Sequence, residues 1–198
     1  MLTTTDRRPW LVTCRPGTGL RLIGFPYAGG GPSLFRTWPG ELLQDFELCA
    51  VHLPGREARM KEPPMGNLRQ VVAELVEAIE PLCDRPVALF GHSIGGLLAF
   101  ECARELRRRF GISPVHLFVS GCPAPQIRDQ DRLCDLPDEE FLERMRRFNG
   151  TPRDILDHTE MMELMLPTLR ADFALRDTYV YEDEPPLNCQ ISAFGGMA

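Results

Sequence analysis

The chain has 198 residues, room for one sizeable core at roughly 100 to 200 residues per domain, and its 43% hydrophobic and 25% charged residues exclude a disordered or fibrous chain. A net charge of −6 argues against a nucleic-acid surface. No apolar run approaches the ~18 residues of a membrane span, and the start up to Trp10 lacks the apolar core of a secretion signal, so a cytoplasmic protein is expected. Its seven cysteines hold no Cys-x-x-Cys pair and predict reduced, packed thiols rather than a disulfide framework or a metal site.

In chain order, Trp10–Cys14 and Leu20–Phe25 predict two short strands joined by a turn. The second runs into Pro26-Tyr-Ala-Gly-Gly-Gly-Pro32, a loop that is either flexible or built to bring backbone N–H groups close to a ligand. The spacing of Leu34, Trp38 and Leu42 predicts a helix from Ser33 to Gln44, followed by a buried strand from Phe46 to Leu53. Arg56-Glu-Ala-Arg59 fits a site loop or, as charged turns more often do, a solvated loop with a local ion pair. Asn67 and Gln70 form a capping pair for a helix with Val71, Val72, Leu75, Val76 and Ile79 on one face, ending near Pro81.

Val87-Ala-Leu-Phe90 then leads into Gly91-His-Ser-Ile-Gly95, with a helical pattern directly behind it. Strand, tight turn and helix in this order form the context of a G-x-S-x-G nucleophile elbow. A serine at the tip of such a turn is held in a strained backbone conformation, and glycines on both sides relieve the close approaches this creates. The helix behind Ser93 offers free N–H groups at its start, so the Ile94 N–H can face an oxyanion beside the Ser93 hydroxyl. The second donor of such a site belongs to the loop after an early strand, which points to Ala28.

Arg107-Arg-Arg109 before Phe110-Gly111 suits a helix end, where cations oppose the macrodipole, and Pro114–Gly121 predicts another buried strand. Strands alternating with helices imply an α/β fold, a mostly parallel sheet covered on both faces. Between about residues 122 and 186 the pattern turns helical, charged and methionine-rich, as expected of a helical cap inserted into a single domain that spans 1–198. One cap helix carries Phe141, Leu142, Met145 and Phe148; a second, with Asp157 as N-cap, carries a methionine stripe. Met162 and Met165 are its candidates for an adaptable wall of a substrate chamber, against the commoner meaning of plain core. Asn188–Phe194 predicts a last strand.

Phe25-Pro-Tyr-Ala-Gly-Gly30, Leu53-Pro-Gly-Arg-Glu57, Gly91-His-Ser-Ile-Gly-Gly96, Leu166-Pro-Thr-Leu-Arg-Ala-Asp172 and Phe194-Gly-Gly196, in this order, resemble the type II thioesterases of non-ribosomal peptide and polyketide synthesis, of the α/β-hydrolase superfamily. The resemblance implies an α/β-hydrolase fold and a serine thioesterase that needs no cofactor. It also implies a partner, an acyl or peptidyl carrier protein whose phosphopantetheine arm bears the acyl group. Ser93 would be nucleophile and Ala28 and Ile94 the oxyanion donors. Arg144, Arg146 and Arg147 are candidates for holding the acidic carrier. In the superfamily the triad Asp and His follow the strand that here ends in Phe194-Gly-Gly, and neither follows it within this sequence. His52, His92, His116 and His158 offer no good substitute, so a chain lacking the C-terminal part of the fold is expected, with Asp and His beyond Ala198. Two alternatives stand beside the thioesterase, namely a small-molecule esterase of the same fold and a non-catalytic domain that binds acyl carriers.

Overall fold

The computed structural model describes residues 10–127, 132–147 and 159–196. Six strands form one sheet: β1 (Leu11–Arg15), β2 (Arg21–Phe25), β3 (Glu47–Val51), β4 (Val87–His92), β5 (His116–Ser120) and β6 (Gln190–Phe194), in the order β1-β3-β2-β4-β5-β6. All neighbours are parallel except β1, which runs antiparallel to β3. Although β1 and β2 are consecutive, β3 lies between them, so the predicted turn joins strands that do not pair.

Beyond Arg21 and Glu47, which pair at the starts of β2 and β3, the apolar character of β2, β3 and the first part of β4 follows from burial on both faces. Ile23, Phe25, Cys49, Val51 and Leu89 face α1 (Leu68–Ile79) and α2 (Ile94–Phe110) across one core. Leu22, Leu48, Ala50 and Ala88 point the other way. On that side the predicted helix from Ser33 to Gln44 is instead two 3₁₀ turns, Pro32–Phe35 and Trp38–Gly40. Pro39 removes a helical donor at its centre and Gly40 weakens what remains. Phe35 still reaches the sheet because β2 has Gly24 there, where a Cβ would lie 2.6 Å from the ring.

α1 starts as predicted, with Asn67 Oδ1 accepting the Gln70 N–H at 3.1 Å, and buries Val71, Val72, Leu75, Val76 and Ile79. α2 ends at Gly111, whose φ of 67° closes the helix on the carbonyls of Leu106 and Arg107. The arginines near this end do more than oppose the dipole. Arg104 donates to Glu101 at 2.8 Å and to the Glu182 carbonyl, Arg107 donates to Glu184 at 3.0 Å and to the Pro186 carbonyl at 2.7 Å, and Arg108 pairs with Glu105 and Glu184. Tyr179 gives its hydroxyl proton to Glu101 at 2.7 Å, and burial together with that bond raises its pKa. The segment that returns to β6 is thereby fastened along α2.

The region from 122 to 186 contains α3 (Asp138–Arg147) and α4 (Thr159–Asp177). Phe141 and Met145 of α3 pack against Met162 and Leu169 of α4 over Leu133 in a small separate core. The Arg170 guanidinium closes this unit by donating to the carbonyls of Cys134 and Leu136 and to Asp138. Phe148, Asp157 and His158 lie outside the described residues. At the sheet's far edge β6 pairs only with β5, and Ile191 and Phe194 are 53% and 55% exposed. No helix among the described residues is long and apolar enough to cross a membrane.

Candidate active site

Ser93 sits where β4 ends and α2 begins, at φ 55° and ψ −124°, one of two non-glycine residues with positive φ among those described. Its N–H donates to the Ser120 carbonyl at 2.8 Å, so the tip of the turn is tied to the end of β5. The flanking glycines have definite reasons. A Cβ on Gly91 would lie 2.1 Å from the Gly95 carbonyl oxygen, and one on Gly95 would lie 2.2 Å from the Phe25 oxygen at the end of β2. Gly91 thus lets the turn fold back on itself, while Gly95 lets α2 approach the neighbouring strand.

That approach places the loop after β2 beside the turn. The Tyr27 ring stands edge-on to His92 with centroids 5.9 Å apart, and the Tyr27 carbonyl accepts the Gly30 N–H at 2.9 Å. A trans peptide points its C=O and N–H in opposite directions, so the Ala28 N–H is directed away from the loop interior. The Ile94 N–H belongs to the first turn of α2, whose donors have no partner within the helix. Acyl transfer by a serine needs a hydroxyl with N–H donors near it, which is the chemistry this neighbourhood is compared with.

A cavity of about 700 Å³ opens at Ser93, lined by Ile94 and Leu97 of α2, by Cys122 and Ile127 after β5, and by Tyr179 and Val180 after α4. The two predicted methionines are not among its lining. Met162 is buried between α3 and α4, and Met165 points instead toward Gly29, where a Cβ would come 3.7 Å from its methyl carbon. The stripe follows the interhelical core because α4 packs on α3 through that face. Beside α2, the cavity is bordered by the 121–127 segment that enters the helical region and by the end of α4 with the residues that follow it, from Arg176 to Val180.

The three described histidines are engaged elsewhere. His92 Nδ1 lies 3.1 Å from Ser120 Oγ, His52 Nε2 lies 3.2 Å from the Arg56 carbonyl, and His116 Nε2 lies 2.9 Å from Ser192 Oγ. None of these three bonds Ser93. Cys122 lines the same cavity, but burial raises its thiol above its ordinary range, which disfavours the nucleophilic thiolate there.

Arg56 is the main residue whose setting differs from expectation. Rather than a solvated charge, it is 3% exposed and forms a bidentate pair with Asp172 of α4 at 2.7 and 2.8 Å. Arg59 is also buried, at 3% exposed, and pairs at 2.7 Å with Glu62 beyond the Arg56–Arg59 stretch, while Glu57 bonds Ser33, so the solvated loop with its own local ion pair is not formed.

Comparison with known proteins agrees with this architecture. Residues 20–196 match the family model described as a thioesterase domain. The gramicidin S biosynthesis protein of Aneurinibacillus migulanus is 46% identical over 94% of this chain and 74% of its own length. Among solved structures, the RedJ thioesterase from the prodiginine pathway of Streptomyces coelicolor has 38% identity and a TM-score of 0.82, covering 88% of this chain and 66% of that one. YbtT, a type II thioesterase from the yersiniabactin NRPS/PKS pathway, has 32% identity and a TM-score of 0.81, covering 94% of this chain and 78% of that one. The chain spans 65% to 74% of the length of three curated relatives. With strand order, elbow and sequence match in agreement, the chain belongs to the thioesterase-domain family of the α/β-hydrolase fold, whose chemistry is the hydrolysis of thioesters.

Proposed function

We propose that this protein cleaves acyl thioesters through Ser93, with the N–H groups of Ala28 and Ile94 holding the oxyanion. The observation that carries the reading is the strained Ser93 at the mouth of a cavity, between the start of a helix and a glycine-rich loop. The Ser93 oxygen attacks the thioester carbonyl, the carbonyl π electrons move to oxygen, and the two N–H groups stabilise that charge. Collapse breaks the C–S bond, the thiol leaves with a proton, and water then cleaves the acyl-serine ester. Residues 122–186 form the proposed cap over the acyl chain, within one domain.

A serine-directed fluorophosphonate, applied in imidazole buffer, should label the protein at one residue, and Ser93→Ala should abolish labelling without lowering the melting temperature. Label on a cysteine would end the serine assignment. A second reading, binding of acyl carriers without turnover, is favoured by the engagement of His52, His92 and His116 away from Ser93. In that case the fluorophosphonate leaves the protein unmarked even with imidazole present. The proposed substrate carrier is an acyl or peptidyl carrier protein with a phosphopantetheine arm, in the cytoplasm. If Arg144, Arg146 and Arg147 help to hold it, added salt should weaken activity on carrier-bound substrate while sparing a small acyl-pantetheine, because surface attractions are screened over about 10 Å at 0.1 M salt. Equal salt sensitivity for both substrates removes these arginines from the docking surface.

A further inference from the structure

Two stretches far apart in sequence, the 53–59 loop and α4, meet at the glycine-rich loop after β2. Asp172 Oδ2 accepts the Gly29 N–H at 2.7 Å and also the Arg56 Nη1 proton at 2.7 Å, while Oδ1 accepts from Arg56 Nη2 at 2.8 Å. The same guanidinium donates to the Gly30 carbonyl at 3.2 Å and to the Pro54 carbonyl from Nε and Nη2. Asp172 is 1% exposed, so these bonds act in a site from which water is excluded. Three neighbouring bonds tie the 53–59 loop to α4 and to the 3₁₀ turn that follows the glycine-rich loop. Thr168 Oγ1 donates to the Gly55 carbonyl at 2.7 Å, and Glu57 Oε1 accepts from Ser33 N at 3.1 Å and Ser33 Oγ at 2.6 Å.

We infer that Arg56 and Asp172 are positioning residues for the oxyanion site, which act by holding the Gly29–Gly30 unit so that the adjoining Ala28 N–H stays aimed at the place beside Ser93. The inference rests on the serine reading given above. Gly29 has φ 77° and Gly30 lacks a side chain, so this part of the loop has little torsional preference of its own. The pair supplies what the loop lacks. An acceptor fixes the N–H of the Ala28–Gly29 peptide, a donor fixes the Gly30 carbonyl, and the Gly30 N–H bond to Tyr27 O closes the turn. With both following peptides fixed, the Tyr27–Ala28 peptide has one orientation. Because Asp172 belongs to α4, seating that helix and completing the oxyanion site become a single event.

The test uses Arg56→Met/Asp172→Leu, which removes both charges together so that neither is left buried alone, an exchange that proteins often tolerate. Fluorophosphonate labelling of Ser93 in imidazole buffer gives a saturating rate and a half-saturating concentration. The saturating rate should fall at least tenfold, up to the ~10²- to 10³-fold cost of losing one oxyanion donor, with half-saturation changed by less than about twofold. Arg56→Lys keeps the charge but cannot hold both carboxylate oxygens and Gly30 at once, so it should show the same split, with a melting temperature lowered by the buried acceptors it leaves unpaired but with the fold retained. If the double variant unfolds, Arg56→Lys decides. A folded variant labelled at the wild-type saturating rate overturns the positioning role alone. Absence of label on wild-type Ser93 overturns the serine reading, and this inference with it.

Discussion

Imidazole should accelerate thioester cleavage by this chain at least tenfold, and the Ser93→Ala variant should show only the slow reaction of imidazole with thioester in free solution. The described structure provides the strained serine and two N–H groups but commits His52, His92 and His116 to other partners. A serine hydroxyl is hardly ionised near neutral pH, and a positioned general base contributes ~10²- to 10⁴-fold. Imidazole diffusing into the cavity beside Ser93 can supply that base, with less benefit than a tethered side chain because it must be captured from solution. Thiol release from an acyl-pantetheine, followed against imidazole concentration at fixed pH, measures the effect. High turnover without imidazole and no response to it would mean that the protein already holds its own base.

Gly91→Ala should lower stability by about 3 to 5 kcal/mol, among the larger effects of a single substitution. The added methyl would meet three backbone atoms, Gly95 O at 2.1 Å, Gly95 C at 2.3 Å and Gly96 N at 2.5 Å, none of which can rotate aside. Relief requires opening the turn, and that also withdraws the Ser93 N–H from Ser120. At 2 to 4 °C per kcal/mol for a chain of roughly 150 to 250 residues, the melting temperature should drop by about 6 to 20 °C. Gly40→Ala is the control. A Cβ there meets nothing within 4 Å, and a change within about 0.5 kcal/mol is expected. Equal melting of the two variants would show that the turn has more room than its geometry implies.

The elbow was legible because its signal is local: five residues, a strand before them and a helix after them. The α1 cap was legible for the same reason, since Asn67 and Gln70 are three residues apart and bond each other directly. The burial of Arg56 was not, because its partner follows 116 residues later and nothing near Arg56 announces it. Within α4 a faint sign existed. Thr168 and Asp172 stand one helical turn apart on a side that also carries Leu175, so two polar groups face inward where an amphipathic helix should be apolar. The segment from Ser33 to Gln44 misled through its spacing, which matches a helix while Pro39 and Gly40 forbid one. Met162 and Met165 went to the α3 contact and to Gly29 because a stripe reports which face is buried, not what buries it.

α4 is anchored unevenly, and this divides it into two parts of different local stability. From Thr168 onward its side chains bond the 53–59 and 27–30 loops, and the chain beyond it is fastened to α2 through Tyr179 and Glu184. Just before this half stands Pro167, which has no N–H to give the preceding turn. The earlier half contributes Met161 and Leu164, both substantially exposed, while Met162 is buried in the small core with Phe141 and Met145. Amide hydrogens after Pro167 should therefore exchange more slowly than those before it, and equal protection of the two halves in a hydrogen-exchange measurement would show that α4 opens as one unit.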